Sequence, residues 1–343
     1  MSDLPKLELA HTMMSEDDAL RFLEGHRISR GGRTMDPKAQ IVGEFVKLIR
    51  VLGYFPPLPE LRQQLRTMVT LMDEPAPPLA RVEDIQIPGP AGALPARVYD
   101  ASGERGSARP AVAYFHGGGW VQGDLETHHS LCARLALRSG ALVIALDYRL
   151  APEHPFPAAV DDCLAVYRWL HANARELSVD PGRIAVAGDS AGGNLAAVVS
   201  QQAALAGEPL PACQVLIYPA LDFALDTPSH QELADAHIIP RDRIEWYAAQ
   251  YLPAGADRLD PRASPLRAAD LSGQPPALVI TGGFDPLRDE GHAYADRLRA
   301  AKVDVVDHEY PGQIHAFVSL TKAIPQGMAA TVEIGDYLRK MLG

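Results

Sequence analysis

Short runs of apolar and β-branched residues alternate with longer stretches of helical periodicity along most of this chain. The runs cover residues 82–87, 96–99, 111–115, 141–146, 183–187, 214–218, 277–281 and 303–310. Most of the later runs are apolar throughout, the pattern of strands covered on both faces of a mostly parallel sheet. Helical patterns fill 127–138, 157–174, 191–206, 287–300 and 327–341. Eight strands with interleaved helices predict an α/β fold: a mostly parallel eight-stranded sheet flanked by helices.

Two stretches break the alternation. Residues 1–78 read as helical segments separated by Gly31-Gly32 and Pro56-Pro57 and end in a proline-rich stretch. Residues 222–270 hold another helical pattern, 241–251, between Pro240 and Pro253. Neither stretch is expected to add strands to the sheet. Long insertions of this kind are often lids, so the chain divides into an N-terminal part of a helical cap (1–78), a catalytic core (79–221), a second cap segment (222–270) and the C-terminal part of the core (271–343).

Composition narrows the picture. The 343 residues are 47% hydrophobic and 22% charged, which suits a folded soluble chain. Lys and Arg number 32 against 43 Asp and Glu, a net charge of −11, so nucleic acid is not an expected partner. No apolar run approaches the roughly 18 residues of a membrane span. The first twenty residues carry five acidic side chains and no apolar block, so no secretory signal is expected there. Cys132, Cys163 and Cys213 are odd in number and far apart. They read as reduced, buried residues, which points to the cytoplasm.

Gly188-Asp189-Ser190-Ala191-Gly192 is a G-x-S-x-G pentapeptide between a strand pattern and a helix pattern. A strand-to-helix turn this tight needs small neighbours around the serine and lifts its hydroxyl above the sheet at a helix N-terminus. The plain alternative is a serine N-cap. His116-Gly117-Gly118-Gly119-Trp120 follows the run 111–115. Consecutive glycines let backbone amides approach a ligand closely. Acyl transfer requires such donors where a carbonyl oxygen becomes an oxyanion. Gly117 and Gly118, with Ala191 after the serine, are the candidate donors. His116 is expected to brace this loop. Trp120 and Tyr218 are candidates for a substrate-pocket wall, although Trp120 suits core filling equally well.

A serine hydroxyl needs a base, and the base needs a carboxylate to orient it. In this strand order the acid and then the histidine follow the serine in the chain. Of the histidines after Ser190, His230 and His237 fall in the second cap segment, His292 in a helix pattern and His308 on a charged, exposed stretch. His315 alone sits just after the last strand. Asp285 is the first acid after the run 277–281 and is the expected partner. Asp289 is the runner-up, with pairing to Arg288 as its alternative. No metal or cofactor is required: no H-E-x-x-H motif exists, and His128-His129 point to opposite sides of a helix.

Together these residues resemble the hormone-sensitive-lipase-like family of α/β-hydrolase carboxylesterases. The matching segments are HGGGW at 116–120, DYRLAPEHPFPAAVDD at 147–162, GDSAGGN at 188–194, DPLRDEG at 285–291 and the His315 loop. The resemblance implies nucleophile Ser190, acid Asp285, base His315, and an oxyanion hole of Gly117, Gly118 and Ala191. It implies a helical cap, and a monomer or homodimer acting on small water-soluble esters of short to medium acyl length. In the segment 148–157, Arg149 and Glu153 are expected to form an internal ion pair. The family often has glycine after the base, where this chain has Ala316; altered packing without loss of the triad is expected. Lactone, amide or carbamate hydrolysis would use the same triad. The gibberellin receptors resemble this family but lack the histidine that His315 supplies here. In the N-terminal segment, Met13, Met14, Met35, Met68 and Met72 suit core filling better than an adaptable acyl pocket.

Overall fold

Eight strands form one sheet in the computed structural model, which describes residues 7–50, 55–103 and 108–343. They are β1 (Arg81–Gly89), β2 (Gly92–Asp100), β3 (Arg109–Phe115), β4 (Leu142–Leu146), β5 (Val179–Asp189), β6 (Gln214–Ile217), β7 (Ala277–Phe284) and β8 (Val305–Ile314). Their order across the sheet is β8-β7-β6-β5-β3-β4-β2-β1. β1 and β2 pair antiparallel with each other, and β2 with β4, while all other pairs are parallel.

The helices among the described residues are α1 (Glu16–Phe22), α2 (Pro37–Ile49), α3 (Leu58–Met72), α4 (His129–Ser139), α5 (Ala158–Ala172), α6 (Ala191–Ala206), α7 (Pro228–Glu232), α8 (Arg241–Tyr251), α9 (Arg288–Ala300) and α10 (Gln326–Leu342). Alternation along the central strands feeds two cores. On β3, Ala111, Ala113 and Phe115 join the layer of α5, α6 and α9, whereas Val112 and Tyr114 join the layer of α4 and α10. Burial on both faces explains why the inner strands carry almost no polar residues.

Three local differences from the sequence pattern have clear causes. Gly31-Gly32 does not merely separate helices: it turns a small hairpin of Ser29–Arg30 and Arg33–Thr34. Both glycines have positive φ, +54° and +76°, as a two-residue hairpin turn demands. β1 and β2 run beyond their apolar cores because a hairpin facing water on one side alternates in polarity. β8 continues past Pro311-Gly312. From Tyr310 to Ile314 it takes four steps while β7 takes two, from Gly282 to Phe284, so a bulge absorbs the extra residues. That bulge sets where the residue after Ile314 lands.

The expected Arg149–Glu153 pair does not form. Arg149 binds the fully buried Asp162 at 2.7 Å through its guanidinium, and its amide donates to the same carboxylate at 3.0 Å. Glu153 instead receives Arg62 of α3 at 2.8 Å, near the surface. Arg149 reaches 13 residues on to α5 and Glu153 is met from 91 residues back, so spacing within one loop was misleading. Removing one member of a buried pair strands a charge, whereas surface pairs contribute little. Asp162→Ala is therefore expected to lose about 3–5 kcal/mol of unfolding free energy, and Glu153→Gln at most about 1 kcal/mol. Denaturant titration of both variants measures the ranking; equal losses contradict it.

Candidate active site

β5 runs directly into Ser190, whose φ of +55° and ψ of −116° mark a strained turn into α6. Small residues make the turn possible. A Cβ on Gly192 would lie 1.9 Å from the Phe115 carbonyl oxygen, and one on Gly188 would lie 2.3 Å from that of Gly192. The Ser190 side chain forms no capping hydrogen bond, so the plain N-cap alternative does not hold. Its Oγ lies 2.9 Å from His315 Nε2.

His315 follows β8 and is nearly buried. Its Nδ1 lies 2.6 Å from Asp285 Oδ2, and Asp285 Oδ1 accepts the Leu287 amide at 2.9 Å. Asp285 is fully buried. With a carboxylate at Nδ1, the proton resides on that nitrogen and Nε2 is left as an acceptor for the serine hydroxyl. The runner-up Asp289 is engaged elsewhere, by Arg288 Nε at 2.8 Å and the Ser229 amide at 2.8 Å. The other histidines are engaged as well: His230 with Glu290, His237 with Glu44, His292 with Asp307 and Glu309, and His308 with Glu333. Ala316 adopts φ +64°, a left-handed conformation that glycine takes freely and alanine takes at a cost of about 1 kcal/mol. His315 reaches Ser190 all the same, so the departure at 316 falls on the backbone.

The glycine loop corrects one expectation. The Gly117 amide is not available to a ligand, because it donates to Asp189 Oδ1 at 2.9 Å. The amides of Gly118, Gly119 and Ala191 have no acceptor among the described residues. Gly119, which the sequence reading passed over, thus replaces Gly117 as a candidate donor. No local signal distinguishes one glycine of the three; Asp189 stands 72 positions away. His116 braces the loop as expected: its ring stacks on Tyr148 at 4.2 Å, and its carbonyl accepts the Tyr148 hydroxyl at 2.8 Å. Burial pushes the His116 imidazole down to about 4, so it stays neutral near pH 7.

A cavity of about 750 Å³ opens over these groups. Its floor holds Ser190, His315 and the glycine loop. Its walls are largely apolar and come from α2 (Phe45, Ile49), α3 (Leu61, Leu65, Met68, Met72) and α8 (Ile244, Tyr247). Trp120 does both of the things considered for it: its ring stacks on Tyr251 at 4.4 Å within the core, and it also borders the cavity. Tyr218 does not border the cavity. It is fully buried with its ring 4.8 Å from that of His315, which it supports from behind. Of the N-terminal methionines considered above, Met68 and Met72 border the cavity, and Met35 is core. Sequence reading also missed Asn194. Its side-chain amide donates to the Ala220 and Ala263 carbonyls, both at 2.7 Å, and ties the start of α6 to the loops after β6.

The profile of a family described by its alpha/beta hydrolase fold matches residues 112–319. This chain belongs to the α/β-hydrolase family, in its hormone-sensitive-lipase-like branch. It is 43% identical over 329 residues to the carboxylic ester hydrolase LipN of Mycobacterium tuberculosis, covering 93% of this chain and 86% of the relative. The arylesterase of Saccharolobus solfataricus is 35% identical over 281 residues, covering 82% of this chain and 90% of the relative. Among solved structures, the ester-hydrolase EH1AB1 from the metagenome of Lake Arreo aligns with a TM-score of 0.85 at 41% identity, covering 89% of this chain and 98% of that one. An esterase of Pyrobaculum calidifontis aligns with a TM-score of 0.80 at 42% identity, covering 88% and 98%. The α/β-hydrolase described here is accordingly a serine esterase, a carboxylic-ester hydrolase acting on small-molecule esters. No helix among its described residues is long and apolar enough to cross a membrane.

Proposed function

We propose that this esterase hydrolyses short- to medium-chain esters through an acyl-enzyme on Ser190, with His315 as base and Asp285 as acid. The continuous line Asp285–His315–Ser190, with contacts of 2.6 and 2.9 Å, carries this reading. His315 Nε2 takes the hydroxyl proton as Ser190 Oγ attacks the ester carbonyl. The tetrahedral intermediate places its oxyanion against the amides of Gly118, Gly119 and Ala191. The C–O bond then breaks, and His315 passes the proton to the leaving alcohol. Water, deprotonated by His315, attacks the acyl-enzyme and releases the acid. Each donor to the oxyanion is worth on the order of 3 kcal/mol of barrier. A base aligned on the serine speaks against a non-catalytic receptor.

Residues 1–78 and 222–270 act together as the cap, since α2, α3 and α8 supply the cavity walls. Apolar walls and a volume of about 750 Å³ suit an acyl chain of modest length. Cys132, Cys163 and Cys213 are buried and unbridged, in keeping with a reducing cytoplasm. A fluorophosphonate probe followed by peptide mass spectrometry, alongside a nitrophenyl-ester panel graded by acyl length, tests the reading. Label on the peptide holding Ser190 and a rate maximum at short to medium length are expected. Label elsewhere, or a rate still rising at long chains, contradicts it.

A further inference from the structure

A second buried carboxylate–imidazole pair lies beneath the glycine loop, separate from Asp285 and His315. Asp189 ends β5, and its side chain is almost fully enclosed. Its Oδ1 accepts the Tyr114 hydroxyl at 2.8 Å and the Gly117 amide at 2.9 Å. His128 Nε2 lies 3.1 Å from Oδ1 and 3.3 Å from Oδ2. The other ring nitrogen of His128 meets Thr127 Oγ1 at 2.9 Å. Burial alone would raise the Asp189 carboxyl, but His128 and the Tyr114 hydroxyl together hold it below its ordinary value. Burial likewise disfavours the His128 imidazolium, and Asp189 more than offsets this. Each member thus favours the charged form of the other, in a place where either charge alone would be costly.

We propose that Asp189 and His128 are positioning residues for ester hydrolysis, holding Gly117 so that the next two amides face the carbonyl oxygen of the bound ester. This rests on the assignment of Ser190 and of the Gly118 and Gly119 donors given above. Gly118 and Gly119 have positive φ, +120° and +62°, and carry no side chain that could fix their orientation. The Val121 and Gln122 amides close the turn on the Gly118 carbonyl, but placing that turn against the serine takes a contact from outside it. The Asp189 carboxylate is in a position to supply that contact, because a Cβ on Gly117 would lie 2.3 Å from Asp189 Oδ2. Asp189 also directly precedes Ser190 in the chain. One carboxylate thereby registers the donor loop against the attacking oxygen, where a displacement of about 1 Å can cost on the order of 10²-fold in rate. His128 supplies the countercharge that keeps that carboxylate ionised and in place. Both side chains border the cavity floor, but their hydrogen bonds go to Tyr114, Gly117 and Thr127 and not to Ser190 or His315, so the pair acts through the loop.

The test separates positioning from mere support of the fold. Asp189→Ala, Asp189→Asn and His128→Gln are compared with the parent in steady-state kinetics. Two ligands are also titrated. One is an alkyl boronic acid, to which Ser190 Oγ adds while its proton passes to His315. The other is the isosteric amide, which stays trigonal. Asp189→Ala should lower kcat about 100-fold, with KM within about threefold. Boronate affinity should fall in parallel while amide affinity holds. Asp189→Asn keeps an acceptor for Gly117 and should stay within about tenfold of the parent, with His128→Gln lying between the two. Parental kcat in a folded Asp189→Ala variant overturns the proposal, as does equal weakening of boronate and amide. If Asp189→Ala does not fold, His128→Gln and Tyr114→Phe decide by the same two ligands. A parent enzyme that binds no boronate would instead refute the Ser190 assignment.

Discussion

Replacing Ser190 by Ala is expected to leave a folded esterase whose turnover of a short-chain nitrophenyl ester is lower by about 10⁴-fold or more. The size follows from the chemistry. Without Oγ no acyl-enzyme can form, and only residual stabilisation by the backbone donors and by binding remains. The fold should survive because the hydroxyl caps no helix, and its recorded contact is with His315. The strained backbone at φ +55° is held by bonds that alanine keeps. The Ser190 amide donates to Ile217, and its carbonyl accepts from Asn194 and Ala220. Initial rates, circular dichroism and a thermal melt are the measurements. A folded variant retaining more than a few per cent of parental turnover would falsify the nucleophile assignment.

Asp285→Asn should cost about 10⁴-fold in kcat, and Asp289→Asn less than about tenfold. At 285 the amide still accepts the Leu287 N–H through its oxygen, so the local turn persists. Its nitrogen, however, now points at His315 Nδ1 as a donor. The imidazole then carries its proton on Nε2 and cannot take one from Ser190. Asp289 sits four residues on in the same motif but serves α9 and the loop at Ser229, so its loss touches stability of about 1 kcal/mol more than chemistry. Steady-state kinetics on both variants measure the ranking. The opposite order would transfer the acid role to Asp289.

Most of the sheet was legible in the chain because buried parallel strands have to be apolar on both faces. α6 was readable to its ends, Ala191 and Ala206, since the serine turn precedes it and Gly207 closes it. α8 was bounded by prolines. Strand ends were less legible where polar residues and chain breakers interrupt the apolar run, as Asp180-Pro181-Gly182 do after Val179 at the start of β5, or where a bulge admits Pro311-Gly312 into β8. The Gly31-Gly32 hairpin was missed because two-residue strands leave no periodicity to read.

Ser190, Asp285 and His315 were picked out as candidates from the sequence alone because each stands at the carboxyl end of a recognisable strand, in a local motif whose spacing encodes its position. The donors of the glycine loop, the partners of Arg149 and Glu153, and the placing of Tyr218 behind a histidine rather than on a cavity wall were decided only by the tertiary structure. Most depend on a contact across a long stretch of chain: Gly117 with Asp189 over 72 residues, Arg62 with Glu153 over 91. Local pattern constrains which elements form and where their ends point. Which hydrogen-bonding groups remain free is settled by what packs against them, and that is a property of the folded whole.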